Sequence, residues 1–364
     1  MRSAVYRRLA VLMAAVATGL GGGCAPRPLL PFSTDTPPLV LVPASGAGVQ
    51  DKRGRFREIF CEVLKARAAE LPDYRPCDEA LARVGEEPPG SGAKVKLGPS
   101  RRRLVAVLVP GVGWDCFSDW LELEGSVPAH VRRFRYDEIT LKVDGLSSSA
   151  RNARMIRDAI MEMPASEAEP RLVLMGYSKG APDILEAVVS YPEIRARVAA
   201  VVSVAGAVGG SPLANDARQS QLALLTHWPG ATCSPGDGGA IESLSPATRK
   251  QWLARHPLPD SIAYYSLVTF PQPDRISSVL KGSYDKLSRV DARNDSQLLF
   301  YDQVIPGSTL VGYVNADHWA LTVPIARSHA MLGSTLVNRN DYPREALLEA
   351  LLRFIEEDMT TQSN

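Results

Sequence analysis

From residue 104 onward, apolar residues gather in short, nearly continuous runs at 104–109, 172–175, 198–204, 263–270 and 309–314. A run without polar alternation reads as a strand buried on both faces, the mark of a parallel sheet covered by helices. Residues 150–161, 183–190 and 344–357 lie between or after these runs and carry helical spacing. The alternation predicts an α/β fold, a mainly parallel sheet flanked by helices. Residues 211–260 break the rhythm with Gly, Pro and polar side chains, and are expected to form a cap-like or lid-like insertion over the active end of the sheet.

The chain before residue 101 reads differently. Residues 53–70 have an amphipathic pattern that aligns Phe56, Ile59, Phe60, Val63 and Leu64 on one face. Residues 39–42 suit a short strand, 86–99 a loop, and 25–38 a tether rich in Pro, Ser and Thr. Arg2, Arg7 and Arg8 precede the apolar stretch 9–20, which is shorter than the roughly 20 residues a membrane-spanning helix needs. Gly21-Gly22-Gly23-Cys24 follows. The whole resembles a bacterial lipoprotein signal, with Cys24 as the lipidated N-terminus, although the usual leucine stands one position early, at Leu20. The expected division is a signal over 1–24, a tether and N-terminal extension over 25–100, and the main domain over 101–360. An exported protein of the bacterial envelope follows from that reading, either anchored to a membrane surface by lipid or free in the periplasm or medium.

Composition narrows the classes. Forty-one Lys and Arg balance 40 Asp and Glu, leaving a formal charge of +1, so no general field draws nucleic acid. Export makes disulfides admissible for Cys61, Cys77, Cys116 and Cys233. Four cysteines allow about three pairings. Cys61 with Cys77 closes the shortest loop and would leave Cys116 with Cys233, while four free thiols is the other reading. No C-x-x-C spacing points to zinc or redox chemistry.

The chemistry concentrates at Gly176-Tyr177-Ser178-Lys179-Gly180, between the run at 172–175 and a helical stretch. A sharp strand-to-helix turn there would lift the Ser178 hydroxyl above the sheet, and both glycines would be needed because a Cβ would strike neighbouring backbone. From residue 104 to 321 the chain resembles the α/β-hydrolase superfamily, and within it bacterial triacylglycerol lipases and carboxylesterases. The pieces that match are Val109-Pro110-Gly111-Val112-Gly113-Trp114, the serine turn, Val204 to Pro212, Asn294-Asp295 and Asp317-His318-Trp319. Pro110 stands where the family often has histidine.

The resemblance implies a serine nucleophile, an acid and a histidine, in that chain order. Of the five histidines only His318 directly follows a late strand; His130 precedes the serine, His227 and His256 fall in the insertion, and His329 lies beyond. Candidate acids are Asp274, Asp295 and Asp302, since Asp317 adjoins the histidine and is badly placed to orient its ring. A parallel crossover needs about ten to twelve residues before the strand at 309, which disfavours Asp302 and favours Asp295, with a short helix expected over 296–301. Asp274 stays open. The backbone N–H groups of Val112 and Lys179 hold the positions that would receive an oxyanion. Neither metal nor organic cofactor is called for. The implied activity is hydrolysis of acyl esters, lipid esters favoured, with Leu222, Leu224, Leu225, Trp228 and Trp252 either lining an acyl site or forming the insertion's own core. A thioesterase, amidase or acyltransferase using the same three residues, and a catalytically silent binding protein, are the competing readings. Oligomeric state is not legible.

Overall fold

The computed structural model describes residues 48–117, 126–164, 172–218, 226, 231, 233 and 235–362. The signal, Cys24, the tether and the strand expected at 39–42 lie outside the described residues.

Among the described residues eight strands form one sheet: β1 (Gln50–Asp51), β2 (Leu81–Ala82), β3 (Val105–Val109), β4 (Asp137–Thr140), β5 (Leu172–Tyr177), β6 (Val198–Val204), β7 (Ala263–Thr269) and β8 (Thr309–Val314). Their order is β1-β8-β7-β6-β5-β3-β4, every neighbour on that path parallel, with β2 pairing antiparallel to β8. Every residue of β6 is buried, as its unbroken apolar character requires of a central strand covered on both faces.

The longer helices are α1 (Arg53–Arg67), α2 (Ser149–Glu162), α3 (Gly180–Ser190), α4 (Pro246–Arg255) and α5 (Arg344–Gln362). On one side of the sheet α1 packs on α5, where Phe56 meets Phe60 and Phe354 at ring distances of 5.9 Å. On the other side α2 packs on α3 through Ile156, Ile160, Ile184, Leu185 and Val188. Ser148 caps α2, its hydroxyl accepting the Arg151 N–H at 3.3 Å.

Residues 50–82, expected as an extension ahead of the main domain, are built into it. β1 and β2 join the sheet, and the apolar face of α1 is part of the main core. Two disulfides form, Cys61–Cys77 and Cys116–Cys233, the second tying residues just beyond β3 to the insertion. Among the described residues no helix is long and apolar enough to cross a membrane.

Candidate active site

Ser178 sits between the last residue of β5 and the first turn of α3 with φ of +54°, a left-handed conformation rare for a side chain other than glycine. Strain of this kind persists only where neighbours over-determine the backbone. Here a Cβ on Gly176 would lie 2.3 Å from Ala181 Cα, and one on Gly180 would lie 1.9 Å from the Val109 carbonyl. The turn is therefore pressed against α3 on one side and β3 on the other, and only glycine fits at both contacts. The Ala207 N–H donates to the Ser178 carbonyl at 2.8 Å, and the Ser178 N–H donates to Val204 at 3.4 Å.

Gly111 stands directly against the serine: a Cβ there would come within 2.7 Å of Ser178 Cβ. The loop carrying Val112 thus runs beside the Ser178 side chain. Neither the Val112 nor the Lys179 N–H donates a backbone hydrogen bond among the described residues. Asp115 fastens the far side of this loop by accepting the Gly145 N–H at 3.1 Å, and Cys116 fastens it by its bond to Cys233.

His318 lies four residues past β8 and is almost fully buried. Its Nδ1 is 2.7 Å from Asp295 Oδ2, and its peptide N–H donates to the Asp295 carbonyl at 3.0 Å. The same Oδ2 accepts the Thr269 hydroxyl at 2.5 Å and the Gln303 amide at 3.4 Å. Oδ1 accepts the peptide N–H groups of Gln297 and Leu298 at 2.9 and 2.7 Å. With both oxygens occupied and the side chain wholly buried, the carboxylate has one orientation, and that orientation faces the imidazole. Tyr177, the residue before the serine, closes the ring of contacts. Its hydroxyl donates to the His318 carbonyl at 2.8 Å and its ring stacks on the imidazole at 5.0 Å. Burial raises the Tyr177 phenol, so it remains a protonated donor.

The other acids are elsewhere. Asp274 is exposed in the turn Pro273–Arg275. Asp302 is half-buried in the turn Phe300–Gln303, facing Gly209 rather than a histidine, and burial pushes its carboxyl up to about 7. It is not the ordinary surface carboxylate a helix end would give. Asp317 is buried and clamps its loop by accepting the N–H groups of Ser277, Trp319 and Ala320 at 2.9, 3.1 and 2.9 Å; burial raises its carboxyl as well. The helix expected over 296–301 does not form. Asn294 bridges to Leu299, and only Phe300–Gln303 takes a helical turn.

Of the remaining histidines, His130 is buried against Glu349 at 2.7 Å and His256 stacks on Trp252 at 4.8 Å, while His329 lies between two short turns and His227 is outside the described residues. Trp252 packs under Arg249 and against the main core on the α2–α3 side. Leu222, Leu224, Leu225 and Trp228 are outside the described residues. A cavity of about 210 Å³ lies between the sheet and α5, lined by Leu108, Trp114, Met175, Val204, Leu321 and Leu351 among others; neither Ser178 nor His318 lines it. Among the described residues no cluster of His, Cys, Asp or Glu is arranged to hold a metal. Thr269, Gln303 and Tyr177 were not singled out from sequence; each is an ordinary strand or turn residue whose part emerges only when distant segments meet.

A mainly parallel eight-stranded sheet with a strained serine turn after β5, an acid on the segment between β7 and β8 and a histidine beyond β8 defines an α/β-hydrolase. Comparison with solved structures narrows this. The metagenomic carboxyl esterase MGS0156 is 41% identical over 91% of this chain and 100% of its own, with a TM-score of 0.81. The chain belongs to the same family of carboxyl esterases within the α/β-hydrolases. The lipase of Staphylococcus hyicus, at 10% identity over 75% of this chain and 100% of its own, shares the fold with a TM-score of 0.52. No family model and no curated protein sequence matches the chain.

Proposed function

We propose that the protein hydrolyses acyl esters through an acyl-enzyme on Ser178, with His318 as base and Asp295 as its partner. The observation that carries this reading is the 2.7 Å contact between His318 Nδ1 and the buried Asp295 carboxylate, with the imidazole stacked on Tyr177, the residue before the positive-φ Ser178. With Nδ1–H donated to Asp295, the other ring nitrogen keeps its lone pair for the serine proton. A neutral hydroxyl is a poor nucleophile, so its proton passes to His318 as oxygen attacks the acyl carbon; Asp295 stabilises the imidazolium that results. The N–H groups of Val112 and Lys179 receive the oxyanion of the tetrahedral intermediate. His318 then protonates the leaving alcohol, and water repeats the cycle on the acyl-enzyme. Lipid esters are the favoured substrates.

Labelling with a fluorophosphonate, then turnover on matched ester, thioester and amide substrates of graded acyl length, tests the proposal. Labelling lost in Ser178→Ala together with preference for the ester supports it. An unlabelled wild-type protein would mean a silent binding module, and preference for the thioester or amide would reassign the reaction.

We propose also that Cys24 carries lipid and holds the protein at a membrane surface. The arginine-led apolar segment 9–20, followed by Gly21-Gly22-Gly23-Cys24, supports this reading. One acyl chain binds only marginally, so stable anchoring requires several. Mass spectrometry of the mature N-terminus should find a modified Cys24; an unmodified terminus elsewhere rules it out.

A further inference from the structure

The side chain that follows the nucleophile does not point to solvent. Lys179 is wholly buried, and its Nζ lies 2.9 and 2.8 Å from the two oxygens of Asp183, one helical turn further along α3. Asp183 is also fully buried and accepts the Asn152 amide of α2 at 2.7 Å; Asn152 in turn donates to the Asp144 carbonyl at 3.0 Å. Withdrawing two charges from water costs free energy that apolar side chains of similar size would not. Core packing alone therefore gives no reason for an ion pair at this place.

The reason we infer is positional: the Lys179–Asp183 pair is a positioning device that fixes the direction of the Lys179 peptide N–H above Ser178. This inference rests on the proposed acyl-enzyme mechanism. Lys179 is the cap residue of α3, with φ of −59° and ψ of −26°, and no side chain caps the helix. The residue before it is held at φ of +54°. Left to itself, such a junction would relax by rotating the peptide between Ser178 and Lys179, which carries the N–H in question. Anchoring the Lys179 side chain to α3 and, through Asp183 and Asn152, to α2 resists that rotation from below. Arg249, also buried, feels the Asp183 charge but is held separately by the Val208 carbonyl at 3.1 Å. Lys179 and Asp183 act through the backbone donor and do not touch the reacting atoms with their side chains.

The test replaces both charges at once, Lys179→Met with Asp183→Leu, and follows melting temperature, kcat, KM and the rate of fluorophosphonate labelling. Exchanging a buried ion pair for apolar side chains is often neutral or stabilising, so the melting temperature should hold or rise. A donor left in place but misaimed should lower kcat by about 10- to 100-fold, less than its deletion, with KM changed by no more than about twofold. The labelling rate should fall with kcat, because the phosphonate also places an oxygen on the donors. A stable double variant with wild-type kcat and labelling overturns the inference and leaves the pair a structural filler. If the double variant does not fold, Asp183→Asn, which keeps the volume, is judged on kcat, KM and labelling alone, because the Lys179 charge left without its partner lowers the melting temperature by itself. Turnover surviving in Ser178→Ala would instead overturn the mechanism on which the inference stands.

Discussion

The serine corner and the acid–histidine corner of this site are held in opposite ways. Around Ser178 the backbone is forced: contacts at Gly176 and Gly180 leave no room for a Cβ, and the strained φ is confined by β3, β6 and α3. Around Asp295 the backbone is turned sharply too, Ser296 standing at φ of +81°, but the carboxylate itself is set by hydrogen bonds. The carboxylate is placed by hydrogen bonds from residue 269 at the end of β7, from 297, 298 and 303 in the following loop, and from 318 beyond β8. Steric confinement is written into five consecutive residues. A hydrogen-bonded cradle drawn from separate segments is written nowhere in one place, and it should fail by degrees.

The sharpest break comes at the serine corner. Ser178→Ala should lower kcat by on the order of 10⁶-fold, and His318→Ala by a similar factor, with the double variant little worse than either, because the two act as a unit. Steady-state kinetics on the three purified variants checks this; additive losses would separate the two residues. At the acid corner Asp295→Asn should cost about 10⁴-fold, since an amide neither stabilises the imidazolium nor enforces the tautomer. Asp274→Asn and Asp302→Asn, assayed alongside, should keep near-normal kcat.

Thr269→Val sharpens the contrast. It removes one donor of the cradle while Gln303, Gln297 and Leu298 remain. A loss of about tenfold in kcat is expected from a loosened Asp295. The same change should lower stability by about 1–3 kcal/mol through lost hydrogen bonding at a buried carboxylate. Kinetics and urea titration of the one variant measure both; a fall as large as that of Asp295→Asn would show the cradle to be all-or-none.

The smallest effect concerns Asp302, whose carboxyl is raised to about 7 by burial. A raised folded-state value means the unfolded chain gives up the proton first. Asp302 is therefore neutral in its effect on stability below about pH 4, destabilises increasingly from there to about pH 7, and costs a constant amount above. Asp302→Asn should gain on the order of 1–2 kcal/mol at pH 8, discounted for partial exposure, and nothing at pH 3.5. Denaturant titrations at the two pH values decide it; equal effects at both would mean that the carboxyl titrates normally.

The sequence was most readable where structure is locally determined. The apolar runs at 198–204 and 309–314 coincide with β6 and β8, and the amphipathic stretch from 53 is α1. β4 escaped because Asp-Glu-Ile-Thr shows no apolar run, as befits a mostly exposed outer strand. β1 and β2, at two residues each, are too short for any periodicity to register. Counting the residues available for a crossover favours Asp295, which the structure sets against His318, though a bridge and a tight turn stand where a helix is expected at 296–301. Chain length constrained the answer while the local picture was wrong. Thr269 and Gln303 carry no pattern of their own, and no spacing rule would have found them.

β1 and β2 have a consequence for handling the protein. Without residues 50–82, β8 would be the rim of the sheet, with its outer N–H and C=O groups bare along the strand that leads to His318. β1 pairs with Thr309 and Leu310, β2 pairs with Tyr313 and Val314, and the Asn315 N–H donates to the Ala80 carbonyl at 2.9 Å. Arg75 bonds the Asn315 carbonyl at 3.0 Å, and Cys61–Cys77 staples this flap to α1. A bare apolar rim is a template for self-association. A truncation at residue 101, the start of the main domain expected from sequence, would strip that cover and should yield aggregates; a soluble, active fragment would show that β8 protects itself.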